Sequence, residues 1–232
     1  MKLSIVMPVF NEDKVISETV RRVETSVKTP HELLIIYDMD QDTTIPLVKK
    51  LKGKYPQIEL VKNIYGRGAL NALKTGLKKA KGKALCVMMA DLTDDPKVLN
   101  KMMEKFDAGF DVVSASRYMK GGHQIGGPLL KQILSRIAGI SLYYLVGLPT
   151  HDATNSFKLY SKKFLSKTKI ESDGGFELAI ELTAKGYFNG YKVTEVPTTW
   201  TYLAKESRFY LKKWLPKYLK WYFWTIKKRF FE

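Results

Sequence analysis

Short apolar runs alternate with helical patterns along the first half of the chain. The apolar runs that predict buried strands span residues 3–9, 32–37, 58–62, 84–90 and 111–116. The helices predicted between them span residues 11–28, 43–54, 67–80 and 95–106. Strands that alternate with helices at this spacing indicate an α/β fold with a mostly parallel central sheet and flanking helices.

The pattern changes after residue 117. A glycine-rich turn leads into a long predicted helix at 129–145, and an edge strand is predicted at 155–160. A helix at 176–185 and a last strand at 192–196 follow. We therefore predict one α/β domain over residues 1–204 and a separate set of amphipathic helices over residues 205–232, where Pro216 is expected to kink or split the helix.

The tail from residue 205 to 232 is rich in tryptophan, tyrosine, lysine and arginine. This mixture suits the interface of a bilayer that contains anionic lipids. The alternative is a tail helix that packs on the core through one stripe, which comprises Leu211, Trp214, Leu215, Tyr218, Tyr222 and Ile226. The longest apolar stretch, 137–148, falls short of the roughly 20 residues that cross a bilayer. We expect the chain to lie on a membrane without crossing it.

The formal net charge of +16 calls for an anionic partner, such as a nucleotide, a phospholipid surface or a nucleic acid. Nucleic acid is the weakest of these, because no recognition motif is present and acidic residues follow the strands. Cys86 is the one cysteine, so no internal disulfide forms. Its apolar surroundings indicate a core residue, and a reducing, cytoplasmic compartment fits.

Polar clusters follow the predicted strands, where open parallel sheets bind their ligands. The candidates for a nucleoside pocket are Pro8, Phe10, Glu12, Asp38 and Asp40. Gly68, in a glycine-rich helix start, can approach a phosphate closely. The alternative for the first two clusters is helix capping, by Asn11 and by Asp42.

Asp91 and Asp94 follow the fourth strand and are the candidate metal ligands. Mg²⁺ and Mn²⁺ prefer carboxylate oxygens together with substrate phosphates. Asp94 or Asp95 could instead cap the helix that follows.

Several short motifs occur together in a fixed order: residues 5–12, 66–74, 91–92, 116–118 with 121–122, 152–158 and 206–208. This ordered set resembles the family 2 glycosyltransferases, and within them the dolichyl-phosphate mannose synthase branch. The resemblance implies a GT-A fold over residues 1–204. It also implies inverting transfer of a hexose from a GDP- or UDP-hexose to a polyprenyl phosphate or another lipid acceptor, at the cytoplasmic face of a membrane.

The resemblance also implies roles for individual residues. Asp91 would hold Mg²⁺ or Mn²⁺ on the donor diphosphate, and Arg117 would bind a donor or acceptor phosphate. Ser116, Ser207 and Arg208 fall in motifs that contribute to binding. Asp152 is the candidate base for a hydroxyl acceptor; for a phosphate acceptor, which needs no base, it would orient Arg117 or Lys158.

The chain departs from the family pattern at several positions: Tyr37, Met39, Asp40, Met89, Asn155 and Lys205. Met89 takes the place of one carboxylate of the metal motif. Two other functions therefore stay open, which are transfer to a glycan or glycolipid hydroxyl and nucleotide-sugar binding with weak catalysis.

Overall fold

The computed structural model describes residues 1–203 and 211–231, with the side chains of residues 211 and 212 left out. The strands are β1 Leu3–Pro8, β2 His31–Tyr37, β3 Ile58–Lys62, β4 Ala84–Val87, β5 Val112–Ser116, β6 His123–Ile125, β7 Lys158–Ser161, β8 Val193–Pro197 and β9 Thr199–Thr201. The helices are α1 Ile16–Ser26, α2 Thr44–Lys54, α3 Ala69–Lys79, α4 Val98–Asp107, α5 Leu129–Ser141, α6 Lys162–Lys167, α7 Leu178–Phe188 and α8 Leu211–Phe231. A π-helical segment, Leu142–Val146, continues α5.

The central sheet has seven strands in the order β3-β2-β1-β4-β7-β5-β8. Only β7 runs antiparallel to its neighbours, so the predicted mostly parallel sheet is confirmed. Its inner strands are apolar and buried because helices cover both faces of the sheet.

The predicted edge strand at 155–160 is wrong in position and in extent. The strand begins at Lys158 and lies between β4 and β5, in the middle of the sheet. Lys158 tolerates this burial because its ammonium donates hydrogen bonds to Ser114 Oγ (2.8 Å) and to the carbonyl of Asp152 (2.9 Å). The edge position belongs to β8.

The strand at Val193–Pro197 is also not the last one, since β9 follows it. β9 pairs in parallel with β6, and together they form a small second sheet. This sheet lies beside the carboxyl end of β5, because His123 N–H donates to the Thr198 carbonyl and Thr198 N–H donates to the Ser116 carbonyl.

Helix α8 is one continuous helix that contains Pro216, so the expected split is wrong. It packs against α7 and the π-helical segment. Trp221 is buried there, and the partly buried residues around it include Tyr218, Tyr222 and Ile226. This part of the aromatic stripe packs on the protein, as the alternative interpretation of the tail expected.

A second surface of the molecule is apolar and exposed. Helix α5 and the π-helical segment expose large apolar side chains at Leu129, Leu130, Ile133, Ile137, Tyr144 and Leu145. The helical window Leu129–Val146 has a mean hydropathy of 1.2 and is only 17% buried. By length and composition it could cross a membrane, so the expectation that no described segment is long enough needs correction. The apolar stretch read from the sequence begins after the charged Arg136, whereas the helix in the structure extends through Arg136 back to Leu129.

Candidate active site

The turns after β1 and β2 are joined by hydrogen bonds around Asp42. The buried carboxylate of Asp42 accepts hydrogen bonds from the backbone N–H groups of Asn11 (3.1 Å) and Thr44 (2.8 Å). Asp42 therefore caps α2, as the capping alternative expected. Asn11 has φ 53°, in the left-handed region, and α1 starts only at Ile16. Residues 11–15 thus form a turn at the sheet edge and not the first turns of a helix.

Asp38 connects the end of β2 to the start of α3. Its carboxylate accepts hydrogen bonds from the Gly68 N–H (2.8 Å) and from Asn63 Nδ2 (2.8 Å). Gly68 has φ +119° and open space where a Cβ would lie. A glycine-rich helix start beside a strand end is a place where backbone can approach a phosphate closely.

The other candidates for the nucleoside pocket lie in the turns that follow the carboxyl ends of β1 and β2. Asp40 is exposed and forms an ion pair with Lys62 at 2.5 Å. Phe10 exposes 43% of its surface. The backbone N–H of Glu12 donates to Thr44 Oγ1 (2.9 Å), which ties this turn to α2.

Arg117 and Asp152 form a buried ion pair at the carboxyl end of β5. Arg117 donates three hydrogen bonds to the carboxylate, from Nε (2.6 Å), from Nη2 (2.9 Å) and from its backbone N–H (3.1 Å). Asp152 is fully buried, and the Arg117 side chain is 10% exposed. Burial alone would raise the pKa of Asp152, but the charges of Arg117 and Lys158 outweigh it and lower that pKa. The carboxylate is therefore ionised.

The aspartate is held from several sides. Its Oδ1 accepts further hydrogen bonds from Thr154 Oγ1 (3.1 Å) and from the Asn155 N–H (3.1 Å). Burial lowers the pKa of neighbouring Lys158 to about 8, although the carboxylate of Asp152 opposes this shift. With both oxygens occupied, Asp152 has the geometry of a group that orients Arg117.

Arg117 is also enclosed by aromatic rings. Its guanidinium carbon lies 4.8 Å from the centroid of Tyr118 and 5.9 Å from that of Trp200. Such packing over ring faces stabilises a cation. Trp200 was not a candidate from the sequence, because only the pairing of β6 with β9 brings it here.

Three aspartates, at positions 91, 94 and 95, follow β4, and the first two are the candidate metal ligands. Asp91 Oδ1 accepts hydrogen bonds from Thr93 Oγ1 (2.6 Å) and from the Thr93 N–H (3.2 Å). Asp94 is buried, and its Oδ1 has no hydrogen-bond partner among the residues that the structure describes. Burial, reinforced by the charge of Asp91, raises the pKa of Asp94 to about 8.

These features fit a divalent cation. A buried carboxyl oxygen without a partner, next to a second carboxylate, is stabilised by a positive charge. Across residues 1–203 and 211–231 no group of three or more His, Cys, Asp or Glu side chains converges on one point. Mg²⁺ is often bound by one or two carboxylates and substrate phosphates, so two carboxyl groups such as those of Asp91 and Asp94 would be enough on the protein side. Met89 packs against the apolar core.

Comparison with known proteins identifies the family. The sequence model described as Glycosyl transferase family 2 matches residues 4–168, more than half of the chain. The chain belongs to this family. The match includes β1 to β5 and the loop that carries Asp152, so the site residues described above, apart from Trp200, lie within the matched region.

Two characterised relatives of this family 2 glycosyltransferase have similar names. It is 28% identical over 225 residues to a dolichol-phosphate mannosyltransferase of Pyrococcus furiosus, which aligns 95% of this chain with 62% of the relative. It is 28% identical over 204 residues to a polyprenol monophosphomannose synthase of Mycolicibacterium smegmatis, over 85% of this chain and 76% of the relative. The chain thus spans less than two thirds of the length of the Pyrococcus protein.

A solved structure shares the fold. The glucosyl-3-phosphoglycerate synthase of Mycobacterium tuberculosis, in complex with Mn²⁺, UDP and glucosyl-3-phosphoglycerate, superposes with a TM-score of 0.69. The superposition covers 98% of this chain and 79% of the synthase at 16% identity. At this identity the likeness establishes the fold, and the expected GT-A arrangement is confirmed.

Some motif residues have structural positions and others do not. Ser116 is buried, and its Oγ accepts a hydrogen bond from the Met119 N–H (3.3 Å). Gly122 lies against it so closely that a Cβ there would be 2.4 Å from the Ser116 carbonyl oxygen. Ser207 and Arg208 lie outside the described residues, and their expected roles stay predictions.

Proposed function

We propose that this protein transfers a hexose from a nucleotide sugar to the phosphate of a polyprenyl phosphate at a membrane surface. The observation that carries the proposal is the Arg117–Asp152 pair. Asp152 was the candidate base, yet both of its oxygens accept hydrogen bonds and it is fully buried. A hydroxyl acceptor needs a base, whereas a phosphate monoester is mostly ionised at neutral pH, with a second pKa of about 6.

Arg117 retains hydrogen-bonding capacity that such a phosphate could use. Within the described part of the chain, its Nη1 group donates to no protein acceptor, while Nε and Nη2 are held by Asp152. A guanidinium held in this way is a preorganised donor, which costs little to orient when an anion binds. The names of both relatives, a dolichol-phosphate mannosyltransferase and a polyprenol monophosphomannose synthase, support a polyprenyl phosphate acceptor.

The donor is assigned to the carboxyl ends of β1 and β2, on the other side of β4 from Arg117. Asp38 holds the Gly68 N–H, and this pair lies between the end of β2 and the start of α3. Pro8, Phe10 and Glu12 line the neighbouring turn. We assign the nucleoside to this region, with either GDP or UDP as its diphosphate.

We assign a divalent metal to the region between the two halves of the site. Asp91 and Asp94 would hold Mg²⁺ or Mn²⁺, and the ion would neutralise negative charge on the departing diphosphate. The complex of the tuberculosis synthase with Mn²⁺ and UDP supports this assignment. The residues of this chain position the donor, bind the acceptor phosphate and keep both in one geometry.

The membrane part of the proposal depends on the exposed face of α5. This apolar face, defined by Leu129, Leu130, Ile133, Ile137, Tyr144 and Leu145, has a solvent-exposed area that water solvates poorly. Helix α8 lies beside it, since Ser141 Oγ and Tyr222 OH are 2.9 Å apart. Helix α8 carries exposed Lys213, Lys220 and Arg229. Apolar side chains next to cations suit an anionic bilayer, such as a cytoplasmic leaflet.

The acceptor can be tested by comparing two lipids of equal chain length. Vesicles that contain a polyprenyl phosphate or the corresponding polyprenol are incubated with labelled GDP- and UDP-hexoses and Mn²⁺. We expect label to enter the lipid fraction only with the phosphate. Equal transfer to polyprenol or to a glycolipid would indicate a hydroxyl acceptor, and no transfer from any donor would indicate a binding protein with weak catalysis.

A further inference from the structure

Asp152 lies in a loop, residues 148–157, between the π-helical segment and β7. A carboxylate that orients Arg117 is useful only when its own loop is fixed. The side chain of Glu195, on β8, contacts this loop and is only 10% exposed. Neither the family motifs nor the spacing of acidic residues marks Glu195 as part of the site.

Glu195 accepts three hydrogen bonds from the two residues that precede Asp152. Its Oε2 accepts from the His151 N–H (2.8 Å) and from Thr150 Oγ1 (3.1 Å). Its Oε1 lies 2.6 Å from His151 Nδ1, which is the donor when the ring carries its proton there. Because β8 pairs with β5, which ends one residue before Arg117, one rigid unit fixes both the arginine and the loop.

Thr150 passes this restraint on to Asp152. The hydroxyl of Thr150 donates to Glu195 and accepts a hydrogen bond from the Asp152 N–H (3.1 Å). The carbonyl of Asp152 accepts from Lys158 Nζ, so the backbone of this residue is held on both sides.

The ring and carbonyl of His151 are packed from the side of α5. The ring stacks on Tyr143, with centroids 3.7 Å apart and an interplanar angle of 20°. Gly139 leaves room for the His151 carbonyl, since a Cβ at this position would lie 2.1 Å from that oxygen. His151 is therefore held between Glu195 on one side and Tyr143 and Gly139 on the other.

We propose that Glu195 is a positioning residue for the transfer reaction: by binding Thr150 and His151 it fixes Asp152, which aims Arg117 at the acceptor phosphate. This inference rests on the proposed function. It assigns to Glu195 no contact with substrate. Its consequence is that acceptor use depends on Glu195 while donor binding, on the far side of the sheet edge, does not.

Glu195→Gln is the sharp test, because glutamine has the same shape but only one acceptor oxygen. Its amide NH₂ cannot accept a hydrogen bond, so either one contact to the loop is lost or the His151 ring must move its proton from Nδ1 to Nε2. We expect kcat/KM for the lipid phosphate to fall about 100-fold, as for a misplaced catalytic group. Protection of the protein by a nucleoside diphosphate and Mn²⁺ should stay within about twofold of wild type. The matched control is Glu59→Gln, because Glu59 lies on β3 and forms an exposed ion pair with Lys81.

A second measurement does not depend on transfer. The Nε–H resonance of Arg117 in a ¹⁵N NMR spectrum, assigned with Arg117→Lys, reports its hydrogen bond to Asp152. In Glu195→Gln we expect this resonance to shift and its proton to exchange faster with water. Thr150→Val, which removes the connecting hydroxyl, should produce the same shift, and it serves if Glu195→Gln does not fold.

The outcomes separate this inference from the proposed function. An unchanged Arg117 resonance in both variants would overturn the positioning role even if the wild-type protein transfers sugar. Parallel losses of diphosphate protection and of transfer would also overturn it, because they indicate general damage to the fold. A shifted resonance in a protein without transfer to lipid phosphate would support the role of Glu195 and count against the acceptor.

Discussion

The carboxylate of Asp152 accepts three hydrogen bonds from Arg117, two from the guanidinium and one from the backbone. The paired geometry matters because a buried guanidinium is stable only with its counter-charge. It also decides what Asp152 can do. A carboxylate that is fully engaged by a cation is a poor base and a good support for that cation.

Asp152→Asn should therefore damage both stability and transfer. Loss of one partner from a buried ion pair costs about 3–5 kcal/mol in the free energy of unfolding, because the other charge stays buried. Urea denaturation measures this change, and the lipid assay measures transfer. Asp107→Asn, in the exposed pair with Lys2, is the control and should cost less than about 1 kcal/mol. A similar small cost at Asp152 would contradict the role assigned to the pair.

Asp94→Asn should weaken metal-dependent binding without harming the metal-free protein. Burial and the charge of Asp91 disfavour the ionised Asp94 carboxyl when no cation is near, as its pKa of about 8 shows. The amide is neutral, as the protonated acid is when no cation is near, but it removes one proposed carboxylate ligand. We expect the Mn²⁺ concentration needed for thermal protection by UDP or GDP to rise at least about tenfold. Loss of a group that only supports a metal ligand already lowers metal affinity by about 10- to 100-fold.

The neighbouring Asp95 provides the control for this experiment. Asp95 is exposed, and its Oδ1 accepts a hydrogen bond from the Lys97 N–H (3.0 Å) at the start of α4. Asp95→Asn should keep the Mn²⁺ response of the wild type. If Asp94→Asn also kept that response, the metal assignment would be wrong.

His31 predicts a pH dependence of stability far from the active site. Burial lowers the pKa of His31, but its ion pair with Glu24 at 3.5 Å and its hydrogen bond to the Thr29 carbonyl outweigh burial and raise it above 6.5. The folded state then holds the proton more tightly than the unfolded state. The resulting stability is fully present below the unfolded pKa of about 6.5 and is lost as pH rises through the folded pKa.

The free energy of unfolding should therefore fall between about pH 6 and about pH 8 by more in the wild type than in His31→Gln. Urea denaturation at both pH values measures the difference. The control is His123→Gln, at an exposed histidine, which should keep the wild-type pH dependence. An identical slope in His31→Gln would mean that the pair with Glu24 does not form in solution.

The exposed face of α5 predicts membrane binding that depends on its apolar side chains. Ile133 and Ile137 expose 45% and 58% of their surfaces, so the double change to serine removes apolar area without opening the core. We expect flotation with anionic vesicles to weaken roughly 10- to 100-fold, because burying the exposed half of each isoleucine contributes on the order of 1 kcal/mol and each 1.4 kcal/mol is about tenfold in affinity. The free energy of unfolding should change little, by about 0.5 kcal/mol per site.

Ile64→Ser is the control for this face, since Ile64 is 51% exposed between β3 and α3. It should float like the wild type. If the double variant floated as well as the wild type, α5 would not be the lipid contact. A truncation before residue 205 would then test the tail.

The order of strands and helices followed from hydrophobic periodicity, because buried parallel strands form continuous apolar runs such as residues 33–36. The place of β7 did not follow. Residues 158–161 form a central antiparallel strand, in which hydrogen bonds to Ser114 and to the Asp152 carbonyl satisfy the buried Lys158. The sequence does not reveal these contacts, because Ser114 is distant along the chain and Asp152 is brought close by the fold of its loop. Pro216 was expected to kink or split α8; the helix is not split at Pro216, and packing of Trp221 holds it against the protein.

The site was predictable where its residues follow strands directly, as Asp38 and Arg117 do, or within four residues, as Asp91 does. The role of Asp152 was left open between a base and an orienting group. Only the folded loop shows that its carboxylate accepts hydrogen bonds from Arg117. Trp200 and Glu195 carried no sequence signal, because β8 and β9 bring them to the site through sheet pairing. The division of the chain after residue 204 stays a prediction.

The most direct test of the central claim is the chemical structure of the product. Wild-type protein is incubated with a nucleotide hexose, Mn²⁺ and vesicles that contain a polyprenyl phosphate, and the lipid product is examined by mass spectrometry and NMR. We predict one hexose attached through its anomeric carbon to the lipid phosphate, with inverted anomeric configuration, and no product from Asp91→Ala. A sugar attached to a hydroxyl, or a lipid phosphate that stays unmodified with every donor, would contradict the account.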